Sequence, residues 1–343
     1  MNSHAPVTIA STLIDPFARL IKYVRLSVTD RCDFRCVYCM SENMQFLPRE
    51  RVLTLEEIAR IGKIFASLGV ETFRLTGGEP LIRRDLPWLV EQLASHSEVV
   101  MTTNGARLDQ FAASLKQAGL SRLNISLDTL DERQFHELTR TGRLNDVLRG
   151  IDAAQHAGFA IKLNAVIMKD RNDDQILPLV KFAQSRGLDI SFIEEMPLGL
   201  IDEHSRQLTF MSSDDIRQII GNEITLTPSQ YQTTGPSRYW QIESENFNSK
   251  ASSQKNTRIG FISPHSHNFC GDCNRVRITS EGRLLLCLGN EQGTDLMPLL
   301  RDSTDDAAIV TSIQNALTLK PEKHHFDLND TPQIVRFMNM TGG

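Results

Sequence analysis

All six cysteines of this 343-residue chain fall into two groups of three. The first is Cys32-x3-Cys36-x2-Cys39, and the second is Cys270-x2-Cys273-x13-Cys287. Each group needs a short segment that turns back on itself so that three thiols converge. In a secreted chain an even cysteine count suggests disulfides. Here no basic segment followed by an apolar run opens the sequence, so a reducing, cytoplasmic setting is expected and the triplets read as metal chemistry. Thiolates suit iron–sulfur clusters and zinc. A cubane cluster normally takes four cysteines, so three leave one iron open to a substrate or cofactor. His267, three positions before Cys270, offers a fourth ligand to the second group, and spacing alone leaves a closed zinc site open there.

Apolar residues make up 40% and charged residues 23%, which suits a globular chain with a sizeable core. The net charge of −5 argues against nucleic acid or a membrane surface as partner, so an anionic ligand must meet a local basic pocket. No apolar stretch approaches the length of a membrane-spanning helix.

Residues 22–196 alternate short apolar runs with amphipathic segments, the pattern of parallel strands joined by helices. Strands are expected at Tyr23–Thr29, Thr72–Leu75, Val99–Met101, Leu123–Ile125, Ile161–Ile167 and Asp189–Ile193. Thr54-x-x-Glu57 is a capping box that starts a helix with its apolar stripe at Leu55, Ile58, Ile61 and Phe65. Unusual residues gather near the strands' C-terminal ends, where barrel enzymes build their active sites. The expected fold is therefore an α/β, incomplete (β/α)6 TIM-like barrel with an open side and a C-terminal iron–sulfur-binding extension covering it. Three stretches are expected: the partial barrel at 13–200, linker and peripheral structure at 201–258, and a C-terminal region with the second cysteine group and a Gly-Gly tail at 259–343.

The first triplet, with Tyr38 before its last cysteine and Gly77-Gly78-Glu79-Pro80 further on, resembles the radical S-adenosylmethionine (SAM) superfamily. Three further stretches are similar to the GTP 3′,8-cyclase family: Leu13–Phe17, Arg25–Cys32, and Gly260–Arg277 with its His-Asn-Phe-Cys-Gly-Asp-Cys-Asn-Arg core. Gly342-Gly343 adds to this. The likeness runs from about residue 13 to 343 and is weakest over 201–258. It implies two [4Fe-4S] clusters, one at Cys32, Cys36 and Cys39 and one at Cys270, Cys273 and Cys287. The open iron of the first would bind SAM, which is cleaved to methionine and a 5′-deoxyadenosyl radical. The open iron of the second would face the guanine of GTP.

The resemblance implies SAM contacts at Tyr38, Gly78, Ser126 and Met196, and GTP contacts at Arg25, Arg74, Thr102, Lys162, Arg275 and Arg277. It also implies that Gly342 and Gly343 reach into the catalytic pocket. Arg275 and Arg277, two apart, share a face if they lie on a strand, and a triphosphate needs such charge-assisted donors. The implied reaction starts molybdenum cofactor biosynthesis. Its implied partners are GTP, a cellular electron donor, a downstream cyclic pyranopterin monophosphate synthase and a second copy of the chain in a homodimer. Met40-Ser41 stands where many relatives have Met-Pro, which bears on the loop after Cys39. Two other readings are a radical SAM enzyme acting on a peptide, which would need a peptide groove instead of the arginines, and an iron–sulfur electron carrier, which would leave Gly-Gly-Glu-Pro unused.

Overall fold

Alternation along the parallel strands decides the architecture. The strands are β1 (Tyr23–Ser27), β2 (Thr72–Thr76), β3 (Glu98–Thr103), β4 (Arg122–Ser126), β5 (Ala160–Val166) and β6 (Asp189–Ile193). Residues of one parity, such as Val24, Leu26, Phe73, Leu75, Leu123 and Phe192, are fully buried in one continuous core with the helices. The other parity carries Tyr23, Arg25, Arg74, Asn124, Lys162 and Asn164, and these line a cavity. A strand repeats every two residues, so each one separates an apolar face packed on helices from a polar face turned inward. The helices are α1 (Leu55–Ser67), α2 (Leu86–Ala94), α3 (Leu108–Gln117), α4 (Glu132–Thr139), α5 (Leu144–His156) and α6 (Ile176–Arg186). The capping box at the start of α1 forms as expected: Thr54 Oγ1 accepts from the Glu57 N–H at 3.2 Å, and Glu57 accepts from the Thr54 N–H at 2.7 Å.

The computed structural model describes residues 12–199, 201, 204–243, 257–324, 326–327 and 336–342. Among them the strands form one sheet, which adds β7 (Leu226–Pro228), β8 (Arg238–Ile242), β9 (Arg258–Ile262), β10 (Arg275–Ile278), β11 (Arg283–Leu285) and β12 (Gly293–Asp295). The order is β12-β11-β10-β1-β2-β3-β4-β5-β6-β9-β8-β7. The expected six strands are the middle of this sheet. The C-terminal region extends both edges with a parallel strand, β9 on β6 and β10 on β1. Each is then backed by antiparallel strands. β9 and β10 do not pair with each other, so the barrel wall stays open, and residues 263–274 cross between its two edges.

Residues 201–258 contribute more than a connection. They hold α7 (Arg206–Thr209), α8 (Ser213–Gly221), β7 and β8. Tyr239 on β8 is buried and brings its hydroxyl to 3.5 Å from Lys162 Nζ. After β12 come α9 (Met297–Asp302), α10 (Asp306–Leu317) and the single turn α11 (Met338–Thr341).

Candidate active site between two cysteine groups

The first cysteine loop leaves β1 and is pinned by backbone contacts to the end of α4. The Arg35 and Val37 N–H groups donate to the carbonyls of Thr139 and Leu138 at 2.9 and 3.0 Å, and the Arg35 guanidinium returns to the Cys32 carbonyl at 2.6 Å. The Cys39 N–H closes a tight turn on the Cys36 carbonyl at 3.0 Å. The three thiols lie near enough for Cys39 and Cys32 to act on Cys36. Burial pushes all three above the usual thiol range, Cys39 to about 12, and thiolate repulsion from Cys39 and Cys32 adds to the rise at Cys36. A metal centre fits this donor set, because coordination deprotonates thiols that burial otherwise keeps neutral.

Gly77 and Gly78 lie against this loop. The Gly78 N–H donates to the Thr29 carbonyl and the Glu79 N–H to the Arg31 carbonyl, both at 2.8 Å. A Cβ on Gly78 would stand 2.1 Å from the Arg31 oxygen, and one on Gly77, whose φ is 153°, 2.5 Å from the Thr29 oxygen. The glycines thus admit the protein's own backbone on its way to Cys32, which is a local reason for them beside any contact with SAM. Glu79 is buried and accepts from the N–H groups of Leu81 and Asn104 and from the Thr103 hydroxyl. Burial raises its carboxyl to about 7. The Tyr38 hydroxyl donates to Asp128 at 2.7 Å, and the other Asp128 oxygen accepts from the Val166 N–H at 2.9 Å. Ser126 ends β4, paired in register with Asn164, and Met196 follows β6 at the cavity wall.

The inward cations form a row across three neighbouring strands. Arg25 stands opposite Arg74 on one side and Arg277 on the other. Tyr23, two residues before Arg25, stands opposite Arg275. Arg74 Nη1 donates to the Thr102 hydroxyl at 3.0 Å, and its Nε donates to the Tyr23 hydroxyl. Among the described residues, Arg25, Arg74, Arg122, Lys162, Arg275 and Arg277 enter no ion pair, and buried Nε atoms of Arg25, Arg122 and Arg275 have no hydrogen-bond partner. Burial, then Arg277, holds Arg25 well below its usual value. Burial, then Arg74 and Arg122, brings Lys162 down to about 7. Among the described residues, Asp189 is the one acid that lines this wall, and it is committed to a bidentate pair with Arg258. Crowded cations with unfilled donors make a site for a polyanion.

The second cysteine group borders the same cavity, which Cys270, Cys273 and Cys287 all line. Burial raises the Cys287 thiol, with Cys273 and Cys270 close enough to add repulsion. Burial also works against the Cys273 thiolate, but Lys320 and Arg275 outweigh it and hold that thiol below its usual range. His267 points elsewhere, with Nε2 at 3.0 and 3.1 Å from the Asp214 carboxylate on α8. The histidine that kept zinc open is therefore not turned to the thiols. The three-cysteine set of this group also fits a cluster with one open iron.

The C-terminal tail reaches both groups of functional residues. The Met338 N–H donates to the Cys39 carbonyl at 3.3 Å, and the Asn339 side chain to the Asp30 carbonyl at 2.7 Å. Arg277 Nη1 donates to the Gly342 carbonyl at 2.5 Å. Gly342 has φ 75°, and a Cβ there would sit 2.2 Å from Thr76 Cγ2. Gly343 lies outside the described residues. Sequence reasoning gave no role to Tyr23, Arg122, Asn124, Asp128 and Tyr239. The period of two on β1 and β4 could have found the first three, because each shares the parity of a residue already singled out.

The Radical SAM superfamily pattern matches residues 26–183, and the Molybdenum Cofactor Synthesis C pattern matches residues 188–326. GTP 3′,8-cyclase from Saccharophagus degradans is 55% identical over 338 residues, which is 97% of this chain and 99% of that protein. The enzyme of the same name from Marinobacter nauticus is 55% identical over 336 residues, 96% of this chain and 98% of its own. In three dimensions the chain is similar to SuiB from Streptococcus suis, solved with bound S-adenosylmethionine. The TM-score is 0.59 over 93% of this chain and 77% of that one, and at 16% identity the likeness speaks for the fold alone. By its sequence over nearly its whole length, the chain belongs to the GTP 3′,8-cyclase family of radical SAM enzymes.

Proposed function

We infer that this chain converts GTP to (8S)-3′,8-cyclo-7,8-dihydroguanosine 5′-triphosphate, the first step of molybdenum cofactor biosynthesis, with SAM and two [4Fe-4S] clusters as cofactors. The observation that carries this reading is the row of cations, none in an ion pair among the described residues, inside a cavity that runs from the second cysteine group to Met196. Cys32, Cys36 and Cys39 hold one cluster, and Cys270, Cys273 and Cys287 hold the other. When bound, the first cluster and SAM supply a one-electron reductive cleavage that arms hydrogen-atom abstraction from the ribose. Tyr38, Gly78, Ser126 and Met196 seat SAM at the C-terminal ends of the strands. Arg25, Arg74, Lys162, Arg275 and Arg277 bind the triphosphate, and Thr102 orients Arg74 for it. The second cysteine group presents its cluster to the guanine.

Fixing both ends of the nucleotide leaves the ribose no freedom to turn away from SAM, so the reacting carbon is held in one orientation. Gly342 completes the pocket beside Arg277 and keeps water out of it. In this reading the product passes to cyclic pyranopterin monophosphate synthase, and a cellular one-electron donor serves the first cluster. The enzyme works in the cytoplasm as a homodimer, without nucleic acid or membrane partners. Among the described residues no helix is long and apolar enough to cross a membrane.

The test is anaerobic reconstitution with iron and sulfide, followed by incubation with GTP, SAM and dithionite. Cyclic dihydro-GTP, 5′-deoxyadenosine and methionine are expected together. SAM cleavage that leaves GTP unconsumed would overturn the reading.

A further inference from the structure

Lys320 follows α10 and is 3% exposed. An ammonium carries three N–H donors, and Lys320 Nζ has three acceptors. They are the Leu286 carbonyl at 2.5 Å, the Arg275 carbonyl at 3.1 Å and the Cys273 sulfur at 3.8 Å. Two of these are the backbone flanks of the second cysteine group, since Arg275 opens β10 two residues after Cys273 and Leu286 directly precedes Cys287. Lys320 enters no ion pair among the described residues. The other cations that influence Cys273 are Arg275 and Arg19. Arg19 is neutralised by the Asp15 carboxylate at 2.6 Å. Arg275 faces the substrate cavity, where a phosphate would neutralise it. Lys320 has no carboxylate partner among the described residues and does not line the cavity.

We propose that Lys320 is the positioning residue that sets the reduction potential of the cluster at Cys270, Cys273 and Cys287. This rests on the reading that the second group holds an iron–sulfur cluster. The potential of such a centre follows its net charge and the hydrogen bonds to its sulfurs. Adding one electron places a further negative charge on the centre, and a fixed buried ammonium stabilises that reduced form over the oxidised one. The same three hydrogen bonds fix the spacing of Cys273 and Cys287.

The test is an anaerobic redox titration of the full-length holoprotein against dithionite, followed by electron paramagnetic resonance. The C32A/C36A/C39A background isolates the signal of the second cluster. K320M is expected to disfavour its reduced form about tenfold, a fall of about 59 mV for one electron. K320R, which keeps the charge, is expected to restore most of it. The first cluster's midpoint, read in the otherwise unaltered chain, is expected to stay in place.

An unchanged second midpoint in K320M overturns the proposal, and so does an equal shift of both midpoints. Should K320M fail to assemble the second cluster, K320Q serves instead, because its amide still donates to the two carbonyls without charge. An unchanged midpoint in K320Q overturns the proposal, and so does loss of the cluster from both neutral variants, which makes Lys320 a folding residue only. Absence of a second-cluster signal from the wild-type protein would count against the cluster assignment and not against Lys320.

Discussion

Lys162 is a cation that its own surroundings disfavour. Burial, Arg74 and Arg122 hold it down at about 7, so above that pH the empty cavity contains a neutral amine. A bound polyphosphate reverses the sign of the surroundings and restores the ammonium. GTP binding is then expected to take up a proton, and affinity to weaken as pH rises above about 7, by up to roughly tenfold per unit. Calorimetry in buffers of different ionisation enthalpy is expected to show this uptake, and K162M is expected to flatten the profile. Proton-independent binding by the wild type would remove Lys162 from the phosphate site. Arg277 gives a second residue-scale expectation. Truncating a charged hydrogen-bond partner costs about 1.5–3 kcal/mol, so Arg277→Ala is expected to lower kcat/KM for GTP by roughly 10- to 150-fold, with iron content unchanged. Full activity in that variant would sink the assignment. Arg277 could be singled out from its neighbours in sequence, whereas Arg122 carries no motif and is marked only by its parity on β4, which turns it inward.

The elements divide into those that report themselves and those that depend on distant partners. β1 to β6 fall where apolar alternation puts them, within a residue or two at most ends, and α1 starts at the capping box read from Thr54 and Glu57. The flanking positions of β9 and β10 could not be read, because neither strand's composition says which edge it will join. β7 and β8 are short and largely polar at the surface, so local periodicity is weak there as well. The meeting of β2's exit with the cysteine loop makes an element-scale expectation. Gly78→Ala forces a methyl into the Arg31 carbonyl, so it is expected to displace the loop and lose the first cluster while the second survives. Iron analysis would then find about half of the wild-type content, and a full complement would show that the loop can give way. Thr54→Ala removes one half of the capping box instead. A lost cap costs about 0.5–2 kcal/mol, so a lower unfolding midpoint with normal turnover is expected, and a calorimetric scan decides it.

At the scale of the whole molecule, distant parts of the chain meet at one place. The tail touches the Asp30 backbone, the first cysteine loop and Arg277, so it joins that loop to the cation wall of the cavity. Deleting Gly342 and Gly343 is expected to suppress GTP cyclisation while cluster content and uncoupled SAM cleavage persist. Wild-type product formation by the truncated chain would show the tail to be dispensable. The tail's path was not legible from periodicity, since a Gly-Gly pair has none, and only resemblance suggested it. The crossing segment between β9 and β10 has another consequence, in the order of assembly. Cys32, Cys36 and Cys39 lie within one loop, which is pinned to α4 and is touched by the tail only at its Cys39 end. Cys270 is held by Arg19, 251 residues away in the chain, and its strand must find β1 after every other parallel strand has been made. Contacts of that separation are costly to close and form late. On the ribosome, the first cysteine loop can therefore take shape before the second cysteine group has been synthesised. A nascent or truncated chain would carry the means to start radical chemistry without the substrate that consumes it, and loading iron only after release would protect the cell from that interval.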